Sequence, residues 1–160
     1  MIKPKNFILD VDGVMTDGRF YYSADGKIMK SFGADDSDAL GLLRNYLNIE
    51  FVSADERGFE ITKKRIEIDM GYKLNLVGSK NRVVWIKEKF DTDSVIFMGG
   101  GVFDYLTMKI VGYSIAPSNS NEYTKSFANF VTKRAGGDRA VSEACFHILK
   151  NFFPNYERQN

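Results

Sequence analysis

Cysteine and histidine are almost missing from this chain. Of its 160 residues one is cysteine, Cys145, and one is histidine, His147. A lone cysteine leaves no internal disulfide, so a reducing compartment, the cytoplasm, is the expected setting. A lone histidine argues against a Ser-His-Asp triad and against a multi-histidine metal site. Charge of one sign is not in excess either. The formal net charge is +1, which offers neither a basic field for nucleic acid nor an acidic solvating tail. The apolar stretch before Asp10 is only a few residues long, too short for a signal peptide or a membrane span. Repeats, low-complexity segments and linkers are absent. What remains is an ordinary globular composition, 44% hydrophobic and 27% charged. Such a length suits one domain with a real core, placed at residues 1–153, followed by a polar tail at 154–160 expected to fray.

Apolar runs and helical patterns alternate along the chain. Phe7 to Leu9 with Val11 reads as a buried strand. Arg19 to Tyr22 and Ile28 to Phe32 flank an Asp25-Gly26 turn, the pattern of a β-hairpin. Asp36 to Tyr46 has leucines at helical spacing, and Phe59 to Met70 reads as one helix closed by Gly71. Further strands are expected at Ile49 to Ser53, Leu74 to Val77, Val95 to Met98 and Tyr113 to Ile115. Helices are expected over Asn81 to Phe90, from about Asp104, and over Ala140 to Phe153. This alternation predicts an α/β fold, a doubly wound parallel sheet with a hairpin flap after the first strand.

Ligands of such folds sit beyond the carboxyl ends of the strands. There the sequence places Asp10 and Asp12, then Ser53, then Lys80 and Arg82, and finally Gly99-Gly100-Gly101 with Asp104. Two carboxylates, a hydroxyl and a cation suit a phosphoryl group held with a divalent ion. One carboxylate can attack phosphorus, and the second can give a proton to the leaving alkoxide and later take one from water. Asp-x-Asp alone is equally the mark of a solvated loop after a strand. A two-component receiver domain also gathers acids, a hydroxyl and a lysine. Its phosphorylated Asp follows the third strand, however, where this chain has Gly78-Ser79-Lys80.

The stretch Phe7-Ile8-Leu9-Asp10-Val11-Asp12-Gly13-Val14-Met15-Thr16-Asp17-Gly18 resembles the first motif of the capless haloacid dehalogenase (HAD) phosphatases. More narrowly it resembles the group acting on 3-deoxy-manno-octulosonate (Kdo) 8-phosphate and on nonulosonate 9-phosphates, enzymes of lipopolysaccharide and surface-sugar biosynthesis. The likeness continues at Phe32, Asp36-Ser37, Ser53, Gly78 to Arg82 and Gly99 to Met108, and ends with Thr132 to Val141. It implies a cytoplasmic, Mg2+-dependent phosphomonoesterase without a cap domain. Asp10 would be the nucleophile, Asp12 the acid/base and Ser53 a phosphate ligand. The third-motif cation falls on Arg82 by count from Gly78, with Lys80 as the alternative.

The fourth motif departs from the family pattern, Gly-Asp-Asp-x-x-Asp or Gly-Asp-Gly-x-x-Asp. The metal-ligand position is Gly100, which has no side chain, and Asp104 matches the later acid, which acts from behind the metal. The Asp10 carboxylate and the Asp12 carbonyl would still touch the ion. An inactivated variant, a natural non-catalytic sugar-phosphate binder and a tolerated change all remain open. The resemblance also implies a homotetramer built through the hairpins. It marks Asp36, Ser37, Glu56, Arg57, Arg134 and Arg139 as substrate candidates. Asp36-Ser37 tilts the expected substrate toward a nonulosonate 9-phosphate. The partner is thus a small sugar phosphate, with no nucleic acid and no membrane. Cys145 and His147 lie two apart on the last helix and read as structural.

Overall fold

The computed structural model describes residues 3–156; the last four positions of the expected tail, 157–160, lie outside the described residues. The strands are β1 (Asn6–Asp10), β2 (Tyr21–Ser23), β3 (Gly26–Met29), β4 (Asn48–Ser53), β5 (Lys73–Leu76), β6 (Val95–Met98), β7 (Tyr113–Ala116) and β8 (Phe130–Val131). The helices are α1 (Ala34–Leu43), α2 (Phe59–Lys63), α3 (Arg82–Lys89), α4 (Asp104–Met108), α5 (Glu122–Lys125) and α6 (Ala140–Phe152). Six strands form one parallel sheet in the order β5-β4-β1-β6-β7-β8. The remaining two, β2 and β3, pair antiparallel as the hairpin. No cap domain is present among the described residues.

A parallel sheet is covered on both faces, so its strands are apolar at nearly every position. Side chains still alternate along each strand. Phe7, Leu9, Phe51, Ile96 and Met98 join Leu40 and Leu43 of α1 and Val141 and Ile148 of α6 in one core. Ile8, Val52, Val95 and Phe97 join Ile86 of α3 and Met108 of α4 in the other. The fully buried Phe7, Phe51 and Phe97 each contribute roughly 1.5–3 kcal/mol of transfer free energy.

Three expectations need adjustment. The helix expected over Phe59 to Met70 is α-helical only through Lys63 and then widens into a π-helical segment, Lys64–Asp69. Over so few residues, apolar spacing cannot separate 3.6 residues per turn from a slightly wider turn. Its end at Gly71 does hold, with φ +72°. α5 and β8 were not anticipated, being four and two residues long. At the other end of the described chain, Tyr156 turns back so that its ring lies 6.3 Å from that of Tyr46. Among the described residues no helix is long and apolar enough to cross a membrane.

The sheet order also locates the site. From β1 the chain winds outward through β4 and β5, then returns to β1's other side for β6, β7 and β8. The reversal opens a crevice past the carboxyl ends of β1 and β6. Asp10 closes β1, and the glycine run follows β6.

Candidate active site

Asp10 is the last residue of β1 and is 5% exposed. Gly13, at φ +85°, takes a backbone conformation that side-chain-bearing residues avoid, and so lets the chain fold back immediately after Asp12. Thr16 Oγ1 holds the turn by accepting from the Gly13 and Gly18 amides at 3.1 and 3.2 Å.

Of the two cations the sequence offered, Arg82 enters the crevice. It is 2% exposed and begins α3. Its Nη2 donates to Asp10 Oδ1 at 2.7 Å, and its Nη1 donates to Asp104 Oδ1 at 2.5 Å. A planar guanidinium spans the two carboxylates with a separate nitrogen for each, in a fixed fork geometry. Lys80 is exposed, with its Nζ over the Phe103 ring at 5.2 Å.

Burial pushes the Asp10 pKa up to about 6, against the pull of Arg82 and with help from the neighbouring Asp104 charge. The two acids in turn keep Arg82 charged although it is buried. Asp10 Oδ1 also accepts from the Val11 amide at 2.9 Å. Oδ2 accepts no hydrogen bond from the described residues.

Asp12 turns toward the hairpin. Its Oδ1 lies 2.8 Å from Lys30 Nζ, and its Oδ2 accepts from Ser53 Oγ at 3.3 Å. Burial raises its pKa, opposed by Lys30. Lys30, just past β3, was missed in the sequence, as were its companions Asp55 and Lys27. Lys30 Nζ is also 2.7 Å from Asp55 Oδ2, and Lys27 Nζ is 2.5 Å from Asp55 Oδ1. Burial works against the Asp55 charge, but these two lysines hold its pKa below the usual carboxylate range. The only sequence signal was a pair of lysines interrupting an otherwise apolar hairpin arm.

The glycine run is tied to α4 by Asp104, whose Oδ2 accepts from the Gly100 and Gly101 amides at 2.9 and 2.8 Å. A Cβ at Gly99 would come within 2.6 Å of Asp104 Oδ2 and 2.7 Å of the Phe97 ring, so glycine is demanded there. A Cβ at Gly100 would meet chiefly Ser120 Oγ, at 2.5 Å. That hydroxyl is buried and has no hydrogen-bond partner among the described residues.

A divalent ion would find two oxygen donors of the right hardness, the Asp10 carboxylate and the Asp12 carbonyl. The Asp12 carbonyl accepts no main-chain hydrogen bond among the described residues. Both Asp104 oxygens are already engaged. The described residues contain no cluster of three or more acidic, histidine or cysteine side chains able to hold a metal. The site therefore fits a hard divalent ion in kind, with two candidate protein oxygens among the described residues.

The expected substrate residues divide. Asp36 requires a correction: it is fully buried, and its Oδ1 accepts from the Ser142 amide at 2.8 Å. It anchors the first turn of α6 and is not a substrate contact. Burial raises its pKa. Ser37 is half-buried beside it. Glu56 and Arg57 are exposed on the loop after β4. Their side chains make no ion pair or hydrogen bond with the described residues. Arg134 and Arg139 flank Gly136 and Gly137, which press on the turn after β1; a Cβ at Gly136 would come within 2.0 Å of the Gly13 carbonyl oxygen. Arg139 Nε donates to Asp35 Oδ2 at 2.5 Å, and Arg134 lies 3.9 Å from Asp138. His147 stacks on Phe130 at 3.8 Å and shares a hydrogen bond with the Tyr113 hydroxyl at 2.8 Å. Cys145 is buried.

A capless parallel sheet with an Asp-x-Asp turn, a strand-end serine and a buried cation–acid bridge has the form of a HAD-type phosphatase. Known proteins agree. The chain is 28% identical over 157 residues to 3-deoxy-D-manno-octulosonate 8-phosphate phosphatase KdsC of Salmonella typhi, covering 93% of this chain and 82% of the relative. It superposes on the cobalt-bound deoxy-D-mannose-octulosonate 8-phosphate phosphatase of Haemophilus influenzae with a TM-score of 0.83 at 26% identity, covering 94% and 90% of the two chains. The fold is shared as well with the Moraxella catarrhalis 3-deoxy-D-manno-octulosonate 8-phosphate phosphatase in complex with magnesium, phosphate and KDO. There the TM-score is 0.81 at 22% identity, covering 98% of this chain and 91% of that one. No family model matches the chain.

Proposed function

We propose that the protein hydrolyses the terminal phosphate of a ulosonate sugar phosphate, Kdo 8-phosphate or a nonulosonate 9-phosphate, through an aspartyl-phosphate on Asp10. The observation that carries this reading is the asymmetry of Asp10. One oxygen is clamped by Arg82 and the Val11 amide, while the other makes no hydrogen bond with the described residues. A clamped carboxylate with one open oxygen is an oriented nucleophile. Oδ2 attacks phosphorus, Asp12 protonates the leaving alkoxide, and Asp12 then takes a proton from the water that cleaves the aspartyl-phosphate. Arg82 holds Asp10 from behind, and Ser53 offers its hydroxyl to a phosphoryl oxygen. Mg2+, held by Asp10 and the Asp12 carbonyl, would neutralise phosphoryl charge. The relatives' substrate supports the sugar class, as do the exposed Glu56, Arg57, Arg134 and Arg139 as contacts for a polyhydroxylated acid. Phosphate release from a panel of sugar phosphates, including both ulosonate classes, tests the reading; release from none of them refutes it.

Gly100 favours a second reading, a weak or inactive sugar-phosphate binder. The two readings separate on one substitution. Gly100→Asp is expected to raise Mg2+ affinity at least about tenfold, read by calorimetry, and to raise turnover with it. Ser120 must rotate to make room, so Gly100→Asp with Ser120→Ala removes the steric question. No change in either variant would show that position 100 does not face the ion.

The hairpin exposes Phe20, Tyr21, Tyr22, Ile28 and Met29, each at least 40% accessible. An isolated two-stranded hairpin with such a surface needs cover, and we assign that cover to other copies of the chain in a tetramer. Tyr22→Glu with Ile28→Glu is expected to lower the mass measured by sedimentation; an unchanged mass places the interface elsewhere.

A further inference from the structure

Lys30 has no part in the chemistry derived so far, yet it is the most enclosed ammonium group of the site. Its side chain has no exposed surface. Its Nζ donates to Thr62 Oγ1 at 2.8 Å and is ion-paired with Asp12 Oδ1 at 2.8 Å and Asp55 Oδ2 at 2.7 Å. The ammonium is thus enclosed by three protein oxygens and presents no surface to a phosphate. A buried ammonium is retained only where opposite charge and hydrogen bonds compensate its lost hydration. The compensation comes from two acids on different elements, one of them Asp12. On the far side Lys27 grips the same Asp55, and the Gly58 amide donates to Asp55 Oδ1 at 3.2 Å.

We propose that Lys30 is a positioning residue for the acid/base, holding Asp12 Oδ1 from the hairpin so that proton transfer runs through Oδ2 alone. This rests on the phosphatase reading above. The geometry makes the two Asp12 oxygens unequal. Oδ1 faces a charged donor at 2.8 Å, whereas Oδ2 has only the longer, neutral bond from Ser53 at 3.3 Å. The carboxylate left after proton donation is matched by a fixed positive charge, and the side chain cannot swing toward Asp10. The hairpin thereby becomes part of the proton-transfer apparatus, because Lys30 directly follows the strand that presents Ile28 and Met29 to solvent.

The test compares two esters of different leaving-group demand. An alkyl phosphate needs a proton on its leaving oxygen, while p-nitrophenolate departs with little help. kcat/KM reports the step that transfers the phosphoryl group to Asp10. Lys30→Met is expected to lower kcat/KM for an alkyl sugar phosphate at least about tenfold more than for p-nitrophenyl phosphate, with Lys30→Arg recovering part of the difference. In an Asp12→Asn background, Lys30→Met is expected to add almost nothing to the loss on the alkyl ester, since a residue acting through Asp12 has nothing left to act through. Lys30→Gln serves the same comparison should the methionine variant not fold. Equal losses on both esters, or a full further loss in the Asp12→Asn background, overturn the proposal while leaving the phosphatase reading intact. An unmodified protein that releases phosphate from neither ester defeats both.

Discussion

Asp10→Asn is expected to lower phosphate release by at least about 10³-fold while leaving the fold in place. The amide occupies the same volume and can still accept from the Val11 amide and from Arg82, so the turn after β1 keeps its local bonds. What disappears is the nucleophilic oxygen. The comparison should use an acid quench of enzyme with labelled substrate: the unmodified protein traps label on the chain, and the variant traps none. A beryllium fluoride adduct, which mimics the phosphoryl group on a carboxylate, should likewise form only on the unmodified protein. Hydrolysis that survives this substitution would mean that water is activated directly, and the covalent route would be wrong.

Arg82→Met tests the same site through stability. The guanidinium is 3% exposed as a side chain and lies between two carboxylates that are 8% and 1% exposed. Removing one partner of a buried ionic group leaves uncompensated charge and is destabilising by about 3–5 kcal/mol. Two acids are stranded here, so the upper part of that range is expected unless one protonates, to which the raised Asp10 pKa of about 6 already inclines it. In a thermal melt of a chain this size the loss corresponds to a midpoint drop on the order of 10 °C. The drop should shrink at acidic pH, where Asp10 takes up its proton. Arg82→Lys should fall between the two, keeping the charge but reaching only one acid well. An unaltered melting temperature would mean that the bridge is not formed in solution.

The alternation of strands and helices was legible because a parallel sheet buries both faces of every strand. Phe7-Ile8-Leu9 and Val95 to Met98 have no other reason to be continuously apolar in an otherwise polar context. The strand ends were legible for the same reason, and with them Asp10, Ser53 and Asp104. The π-helical segment after α2 and the two-residue β8 were not, because neither changes the apolar pattern that marks an element. Asp36 shows a different failure. Its type and place suited a sugar contact, but whether an acid at a helix start faces a ligand or a neighbouring helix is decided by what packs against it. Here α6 packs against it, and the Ser142 amide takes its oxygen.

From residue order alone, then, came the doubly wound sheet, the edge where chemistry gathers and the paired acids. These depend on periodicity and spacing, which are local properties of a chain. Tertiary structure alone decided that Arg82 rather than Lys80 bridges Asp10 and Asp104, that Lys30 reaches Asp12 from the hairpin, and that Asp36 is sealed away. Each of these joins residues far apart in the chain, and for buried charges the partner found across that distance sets the energy.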